Sequence, residues 1–160
     1  MEIERKYLVK SLPSNLGSFS FHLIEQGYLS TAPVVRVRKD EDEFYLTYKS
    51  KGLMVREEYN LPLTEASYSH LLAKSDGNIL TKKRYLIPLN ENLTIELDVF
   101  EGLFAGLFLA EVEFPDEEAA NSFTPPDWFG REVTFSGEYQ NSRLSTMEPE
   151  LIPQLIKEAV

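Results

Sequence analysis

The sequence predicts an α+β fold that is mainly β: an eight-stranded antiparallel β-barrel with helices packed outside it and a helical segment at the C-terminus. Two observations support this prediction. In eight segments apolar and polar residues alternate with a period of two, which is typical of strands with one apolar and one polar face. Most of these segments are joined by short turns, and a closed or nearly closed sheet is the arrangement that leaves such a series of strands without exposed edges.

The strands follow one another along the chain and are separated by residues that favour turns. The clearest alternation is Leu93, Ile95, Leu97 and Val99 against intervening polar residues. Turns are expected at residues 11–17, 32–33, 40–43, 51–52, 90–92 and 101–102, where Gly, Pro, Asn or acidic residues cluster. The eight strands are expected at residues 1–9, 20–30, 34–38, 44–49, 54–60, 79–87, 93–99 and 107–114.

Helices are predicted between and after the strands. Thr64 is a capping residue followed by an acidic first turn, and Leu71 and Leu72 lie at helical spacing from Tyr68, so residues 64–74 form the clearest helix. Further helices are expected at residues 116–123, 138–145 and 150–159.

The composition limits the organisation and the chemistry. A chain of 160 residues without repeats or linkers is expected to form a single domain, residues 1–160. A net charge of −10 argues against binding nucleic acid or an anionic membrane through the whole surface. With no cysteine and only two histidines, any metal site must use carboxylates, which suit hard cations such as Mg²⁺ or Mn²⁺.

Nothing in the sequence resembles a targeting or membrane-spanning segment. No apolar run approaches the roughly 18 residues that cross a bilayer, and the N-terminus opens with charged residues. A soluble cytoplasmic protein is therefore expected. The sequence does not choose between a monomer and a dimer.

Charged residues recur two positions apart on strand after strand, so the members of each group share one face. The groups are Glu2, Glu4 and Lys6; Arg36 and Arg38; Arg56 and Glu58; Lys82 and Arg84; Glu96 and Asp98; Glu111 and Glu113. In the simplest interpretation these faces meet water. However, many neighbours have like charge and repel one another unless opposite charge stands between them. The alternative is a barrel whose charged interior forms a cavity, with helices covering its apolar outer face.

Such a cavity would suit a phosphoanhydride. Arg and Lys side chains bind phosphate oxygens, and carboxylates hold the divalent cations that neutralise charge during phosphoryl transfer. Neither GxxxxGK[ST] nor GxGxxG occurs, so a P-loop or kinase site is unsupported.

The N-terminal residues Glu2-Ile3-Glu4-Arg5-Lys6 match the ExExK signature of the CYTH superfamily, the triphosphate tunnel metalloenzymes, which the chain resembles over residues 1–145. The motif alone is short, but seven later elements follow in the order found in that family. They are residues 35–38, 46–49, 55–58, 82–85, 95–102, 110–114 and 132–134. One departure falls at residues 135–141, where only Tyr139 and Asn141 preserve part of the family pattern, so the C-terminal plug of the tunnel is the weakest part of the resemblance.

The resemblance implies a tunnel that hydrolyses a small triphosphate, chiefly inorganic tripolyphosphate, with two divalent cations, Mg²⁺ or Mn²⁺. It implies metal ligands at Glu2, Glu4, Asp98, Glu111 and Glu113. It implies triphosphate ligands at Lys6, Arg36, Arg38, Lys49, Arg56, Lys82 and Arg84, with Arg56 alternatively a partner of Glu58. The expected catalytic set is Glu2, Glu4, Lys6, Glu58 and Asp98.

Two other functions remain open at this point. One is a class IV-type adenylate cyclase of the same fold, in which the ribose 3′-hydroxyl would replace water as the nucleophile. The other is a polyphosphate- or nucleotide-binding module without enzymatic activity.

Overall fold

The computed structural model describes residues 1–90 and 92–159, which form ten strands, four α-helices and three short 3₁₀ turns. The helices are α1 (Glu65–Leu72), α2 (Glu117–Ser122), α3 (Asn141–Ser145) and α4 (Ile152–Glu158), and the 3₁₀ turns are Leu16–Ser18, Gly102–Phe104 and Pro149–Leu151. The strands are β1 (Glu2–Val9), β2 (Phe21–Thr31), β3 (Val34–Asp40), β4 (Glu43–Lys49), β5 (Val55–Arg56), β6 (Glu58–Pro62), β7 (Asp76–Pro88), β8 (Thr94–Glu101), β9 (Phe108–Glu113) and β10 (Phe129–Glu132).

The strands form one antiparallel sheet that nearly closes into a barrel. Nine of them follow the order β10-β1-β9-β8-β7-β2-β3-β4-β6, and β5 pairs with β1. Because Glu57 alone separates β5 from β6, the sheet returns from β4 through β6 and β5 to β1. The predicted mainly β barrel is therefore confirmed.

The predicted number of eight strands is wrong, because the main path of the sheet has nine. The additional strand, β10, has four residues and pairs only with β1, at Tyr7 with Glu132 and Val9 with Phe129. A segment this short shows too little alternation to be recognised. In addition, the single strand predicted at residues 54–60 is divided into β5 and β6. The turn predicted at residues 90–92 connects β7 to β8, which pair up to Pro88 and Thr94, and its Glu91 lies outside the described residues.

On the inward face of the barrel, charged residues give way to apolar ones within two residues along a strand. Lys6 is followed two residues later by Leu8, and Asp98 is followed by Phe100. Leu8 and Phe100 are buried with Leu144 of α3 and Ile152 of α4 in a single core cluster. The lower part of the barrel is thus filled by side chains, and the charged cavity lies above this apolar floor.

A second apolar cluster lies on the outside of the sheet. Tyr7 of β1 and Val112 of β9 are buried there, and Phe123 after α2 and Phe129 of β10 pack against them. On the opposite side α1 is fixed at its N-terminus by reciprocal hydrogen bonds of Thr64 and Ser67, and it buries Tyr68. The outer apolar faces are covered by helices as predicted, whereas α3 closes the floor.

Within residues 1–90 and 92–159, every helix is too short or too polar to span a lipid bilayer.

Candidate active site

The charged interior encloses a cavity of about 300 Å³, and twelve of the thirteen side chains predicted to form the site line it. The exception is Asp98. The lining consists of Glu2, Glu4, Lys6, Tyr28, Val34, Arg36, Arg38, Lys49, Arg56, Glu58, Asn60, Lys82, Arg84, Glu96, Glu111, Glu113, Gln140, Asn141 and Ser142. Seven of these residues are Lys or Arg and six are Glu, so the cavity combines both signs of charge as the sequence predicted.

Strands β1 and β9 bring carboxylates from opposite ends of the chain together. In their antiparallel register Glu4 lies opposite Glu113, and Lys6 lies opposite Glu111. Glu2, Glu4 and Glu111 are buried, whereas Glu113 is exposed. The carboxylates therefore extend from the mouth of the cavity into its interior.

Burial and mutual repulsion act on this carboxylate group. Burial raises the pKa of Glu4 to about 8, and the charges of Glu111 and Glu2 contribute in the same direction. Burial, together with a side-chain contact from Glu58, likewise raises the pKa of Glu2 to about 7. The added positive charge of a bound cation would favour the ionised form of both groups.

The carboxylate oxygens suit a hard divalent cation, but they are engaged in other contacts. Lys49 Nζ lies 3.0 Å from Glu2 Oε1, and Lys6 Nζ lies 3.3 Å from Glu111 Oε1. In the part of the chain that the structure describes, no three acidic or imidazole groups are clustered closely enough to hold a metal as they stand. Metal binding at this group would therefore require Lys49 and Lys6 to turn away from the carboxylates.

The cationic side of the cavity has donors that the protein does not use. The Nε atoms of Arg36 and Arg56 are buried and have no hydrogen-bond partner among the described residues. A buried unpaired donor is costly, and more so when it is charged. Both side chains line the cavity, and Arg56 Nε lies 3.8 Å from Glu2 Oε1, so the two guanidinium groups fit a ligand with several anionic oxygens.

Asp98 is placed differently from its predicted role as a metal ligand and catalytic residue. Its carboxylate is completely buried and does not line the cavity. It accepts two hydrogen bonds from Arg84, at 2.8 and 2.9 Å, and lies 2.7 Å from Lys82 Nζ. In this geometry Asp98 orients two cationic side chains, since the register places it directly opposite Arg84, and its role as a metal ligand and catalytic residue stays a prediction.

Several lining residues were not predicted. Tyr28, Asn60 and Glu96 lie on inward positions of predicted strands and follow the same alternation as the predicted residues. Gln140, Asn141 and Ser142 come from the start of α3, which closes the cavity without any periodic sequence signal. Asn141 is one of the two residues of the C-terminal segment that preserve the family pattern.

The burial of Glu4, together with repulsion from its neighbouring carboxylates, predicts a pH-dependent stability. The folded-state pKa of Glu4, about 8, lies above its ordinary value of 4.5, so the folded protein binds more protons than the unfolded chain between these values. Stability without metal is therefore expected to fall as the pH rises from about 5 to 8. The Glu4→Gln variant should melt at a higher temperature than wild type at pH 8, by roughly 2–4 °C for each kcal/mol of relieved repulsion, and the difference should shrink towards pH 5.

Calorimetric melting curves of both proteins in a chelator test this expectation. Parallel pH profiles for wild type and variant would contradict it. Glu117→Gln, the same substitution on the exposed first turn of α2, serves as the control.

The barrel and its lining define a class of protein: a β-barrel whose interior combines cationic side chains for a polyanion with carboxylates for a divalent cation. The chain matches the CYTH domain over residues 1–148 and belongs to that family. This confirms the resemblance stated from the ExExK motif and the later elements. Membership implies dependence on a divalent cation in general.

Two similar proteins are named inorganic triphosphatase. The protein from Nitrosomonas europaea is 38% identical over 151 residues, which cover 92% of this chain and 99% of that protein. The protein from Acetivibrio thermocellus is 40% identical over 155 residues, which cover 89% of this chain and 92% of that protein.

Solved structures show the same fold. The crystal structure of an inorganic triphosphatase superposes with a TM-score of 0.70 at 37% identity, covering 93% of this chain and 97% of that chain. A structure described as a putative adenylate cyclase from Bacillus halodurans has a TM-score of 0.58 at 22% identity, with 92% of each chain covered, and shows similarity of fold alone.

Proposed function

We propose that the protein is a metal-dependent inorganic triphosphatase that cleaves tripolyphosphate into phosphate and pyrophosphate. The observation that carries the proposal is the cavity lining, in which seven Lys and Arg side chains stand beside the carboxylates of β1 and β9. The relatives named inorganic triphosphatase, at 38% and 40% identity, support it.

The shape and polarity of the cavity favour a substrate that consists only of phosphate. Among its described lining residues, Tyr28 and Val34 alone offer a largely apolar surface, and the remainder are charged or polar. A nucleobase would normally be held by apolar and aromatic contacts with a few directed hydrogen bonds. A volume of about 300 Å³ filled with charged groups therefore supports inorganic tripolyphosphate over a nucleoside triphosphate.

The roles of the side chains follow from their positions. Arg36, Arg38, Lys82 and Arg84 would bind phosphate oxygens, since all four side chains line the cavity. Lys6, Lys49 and Arg56 stand closest to the carboxylates and would bind the phosphate group that lies next to the metal. Glu58 lines the cavity in contact with Glu2, where it would help to hold that carboxylate in place.

The carboxylates of Glu2, Glu4, Glu111 and Glu113 would hold two divalent cations, Mg²⁺ or Mn²⁺. When bound, the cations supply charge neutralisation on the phosphoryl group being transferred and a source of nucleophilic water at neutral pH. Water attacks the terminal phosphorus, the bond from that phosphorus to the bridging oxygen breaks, and pyrophosphate leaves. The cationic side chains stabilise the negative charge that collects on the leaving oxygen. A cytoplasmic location is part of the same proposal.

The proposal predicts the outcome of a substrate panel. We expect phosphate release from tripolyphosphate with Mg²⁺ or Mn²⁺, at a kcat/KM more than about tenfold above that for ATP, GTP or thiamine triphosphate, since a tenfold ratio needs only 1.4 kcal/mol of differential binding. A chelator should abolish release. Assays of phosphate, pyrophosphate and cyclic AMP from the same reactions provide the measurement.

Each contrary outcome has a distinct meaning. Cyclic AMP and pyrophosphate from ATP would replace the proposal with the cyclase. Tight binding of tripolyphosphate without hydrolysis in the presence of Mg²⁺ or Mn²⁺ would replace the proposed triphosphatase with a binding module.

A further inference from the structure

Gln26 of β2 contacts the site without lining the cavity. Its side chain is completely buried in the barrel. Its Oε1 accepts a hydrogen bond of 2.8 Å from Arg38 Nε, and its Nε2 donates a hydrogen bond of 3.0 Å to Asn141 Oδ1. The Gln26 amide therefore connects a cation of β3 to α3, the helix that closes the floor of the cavity and is called the plug helix below.

The connection extends to a second cation. Lys82 Nζ donates a hydrogen bond of 2.8 Å to the same Oδ1 atom of Asn141. Arg and Lys side chains can only donate, so both amides must present oxygen to them. Gln26 then has only its side-chain nitrogen left to donate to Asn141. The orientation of both amides in this series of hydrogen bonds, from Arg38 through Gln26 and Asn141 to Lys82, is therefore fixed.

The neutrality of the Gln26 amide matters because of the charges around Arg38. The positive charges of Arg36 and Arg84 both act on its guanidinium. Among the described residues Gln26 is the hydrogen-bond partner of the Arg38 side chain, and it occupies Nε while leaving the two Nη groups for the cavity. A carboxylate at the same place would also hold Arg38, but it would neutralise the charge that a phosphate needs. A neutral acceptor orients the guanidinium and preserves its charge.

We propose that Gln26 is a positioning residue that holds Arg38 and, through Asn141, Lys82 in the geometry that binds the phosphate chain. The proposal rests on the proposed function for the identity of the ligand. It also gives the plug helix a role in substrate binding, because Asn141 belongs to α3 and accepts hydrogen bonds from both sides.

A double-mutant cycle tests this role. The probe is inorganic tripolyphosphate, with binding measured by calorimetry in a chelator so that no turnover occurs. We expect Gln26→Met, which keeps the length but loses both hydrogen bonds, to weaken binding by about tenfold or more. In an Arg38→Ala background the same substitution should weaken binding clearly less than in wild type, because only the link through Asn141 to Lys82 then remains to be lost.

Two comparisons separate positioning from a loss of general stability. Tyr68→Phe removes a partly buried hydrogen bond to β2, that of Tyr68 Oη to Glu25 Oε1, and should lower the melting temperature without changing tripolyphosphate affinity. Gln26→Glu keeps an acceptor for Arg38 but brings a charge. It should preserve a slowly exchanging Arg38 Nε–Hε signal in the NMR spectrum while still weakening binding, whereas Gln26→Met should lose the signal.

Unchanged affinity in Gln26→Met, or the same loss with and without Arg38, would overturn the positioning role. The failure of the proposed function looks different. Wild type would then bind tripolyphosphate without hydrolysing it, and the cycle would still decide the role of Gln26.

Discussion

Glu4→Gln is expected to reduce tripolyphosphate hydrolysis by more than about 100-fold, since even the loss of a residue that merely supports a metal ligand typically costs 10–100-fold. Glu4 stands at the centre of the carboxylate group, with Glu113 opposite it on β9 and the charges of Glu2 and Glu111 acting on it. The amide has nearly the same size but lacks the negative charge that a hard cation requires. The reduction should appear in kcat/KM with Mg²⁺ and with Mn²⁺, together with weaker metal binding in calorimetric titrations.

This result would not be explained by misfolding, because the same substitution is expected to stabilise the metal-free protein at pH 8. Glu117→Gln on α2 should retain full activity and metal affinity, since it makes the same chemical change on an exposed surface. Full activity in Glu4→Gln would remove Glu4 from the metal site.

Asp98→Asn is expected to destabilise the fold by about 3–5 kcal/mol, the usual cost of removing one partner from a buried ion pair. Asp98 is completely buried between Arg84 and Lys82, so Lys82 would lose its closest carboxylate and Arg84 would keep only the longer contact to Glu96, at 3.3 Å. The melting temperature should fall by roughly 6–20 °C for a domain of this size. Thermal unfolding followed by circular dichroism measures the effect.

The control is the partly exposed pair of Lys83 and Glu101 on the same two strands, whose charged atoms lie 3.9 Å apart. Glu101→Gln should change stability by no more than about 1 kcal/mol because solvent screens such pairs. A titration with Mn²⁺ then separates two roles for Asp98. Metal affinity close to wild type fits an orienting role, whereas an unchanged melting temperature with lost metal affinity would restore the predicted role as a metal ligand.

The barrel was predictable because most of its strands have one charged face and one apolar face. Alternation assigns each residue of β1, β3, β7 and β9 to the inside or the outside without knowledge of the partner strand. The twelve predicted residues that line the cavity all lie on inward positions of this kind. β10 was missed because its four residues are too few to show alternation, and it packs beside β1 without forming part of the charged lining.

The details within one face were not predictable from alternation. Glu96 and Asp98 share a face of β8, yet Glu96 lines the cavity and Asp98 lies beneath it. The difference depends on Arg84, which the register places opposite Asp98. Gln26 gave no signal either, because a single amide within an apolar segment looks the same whether it faces solvent or completes a buried network. Its role depends on Asn141, which lies more than a hundred residues away and belongs to the plug.

The pairing of β1 has a consequence for how the protein folds. Among the described strands its partners are β9 and β10, from the far end of the chain, and the two-residue β5, so most of the first strand is paired only when residues 108–132 are in place. Pairings this distant in sequence form slowly because a long loop must close before any contact compensates for its entropy. The carboxylates of Glu4 and Glu113 meet in this step, so we expect the proposed metal site to form late in folding. A chain in which β1 is still unpaired is then expected to lack the ability to bind metal and phosphate together.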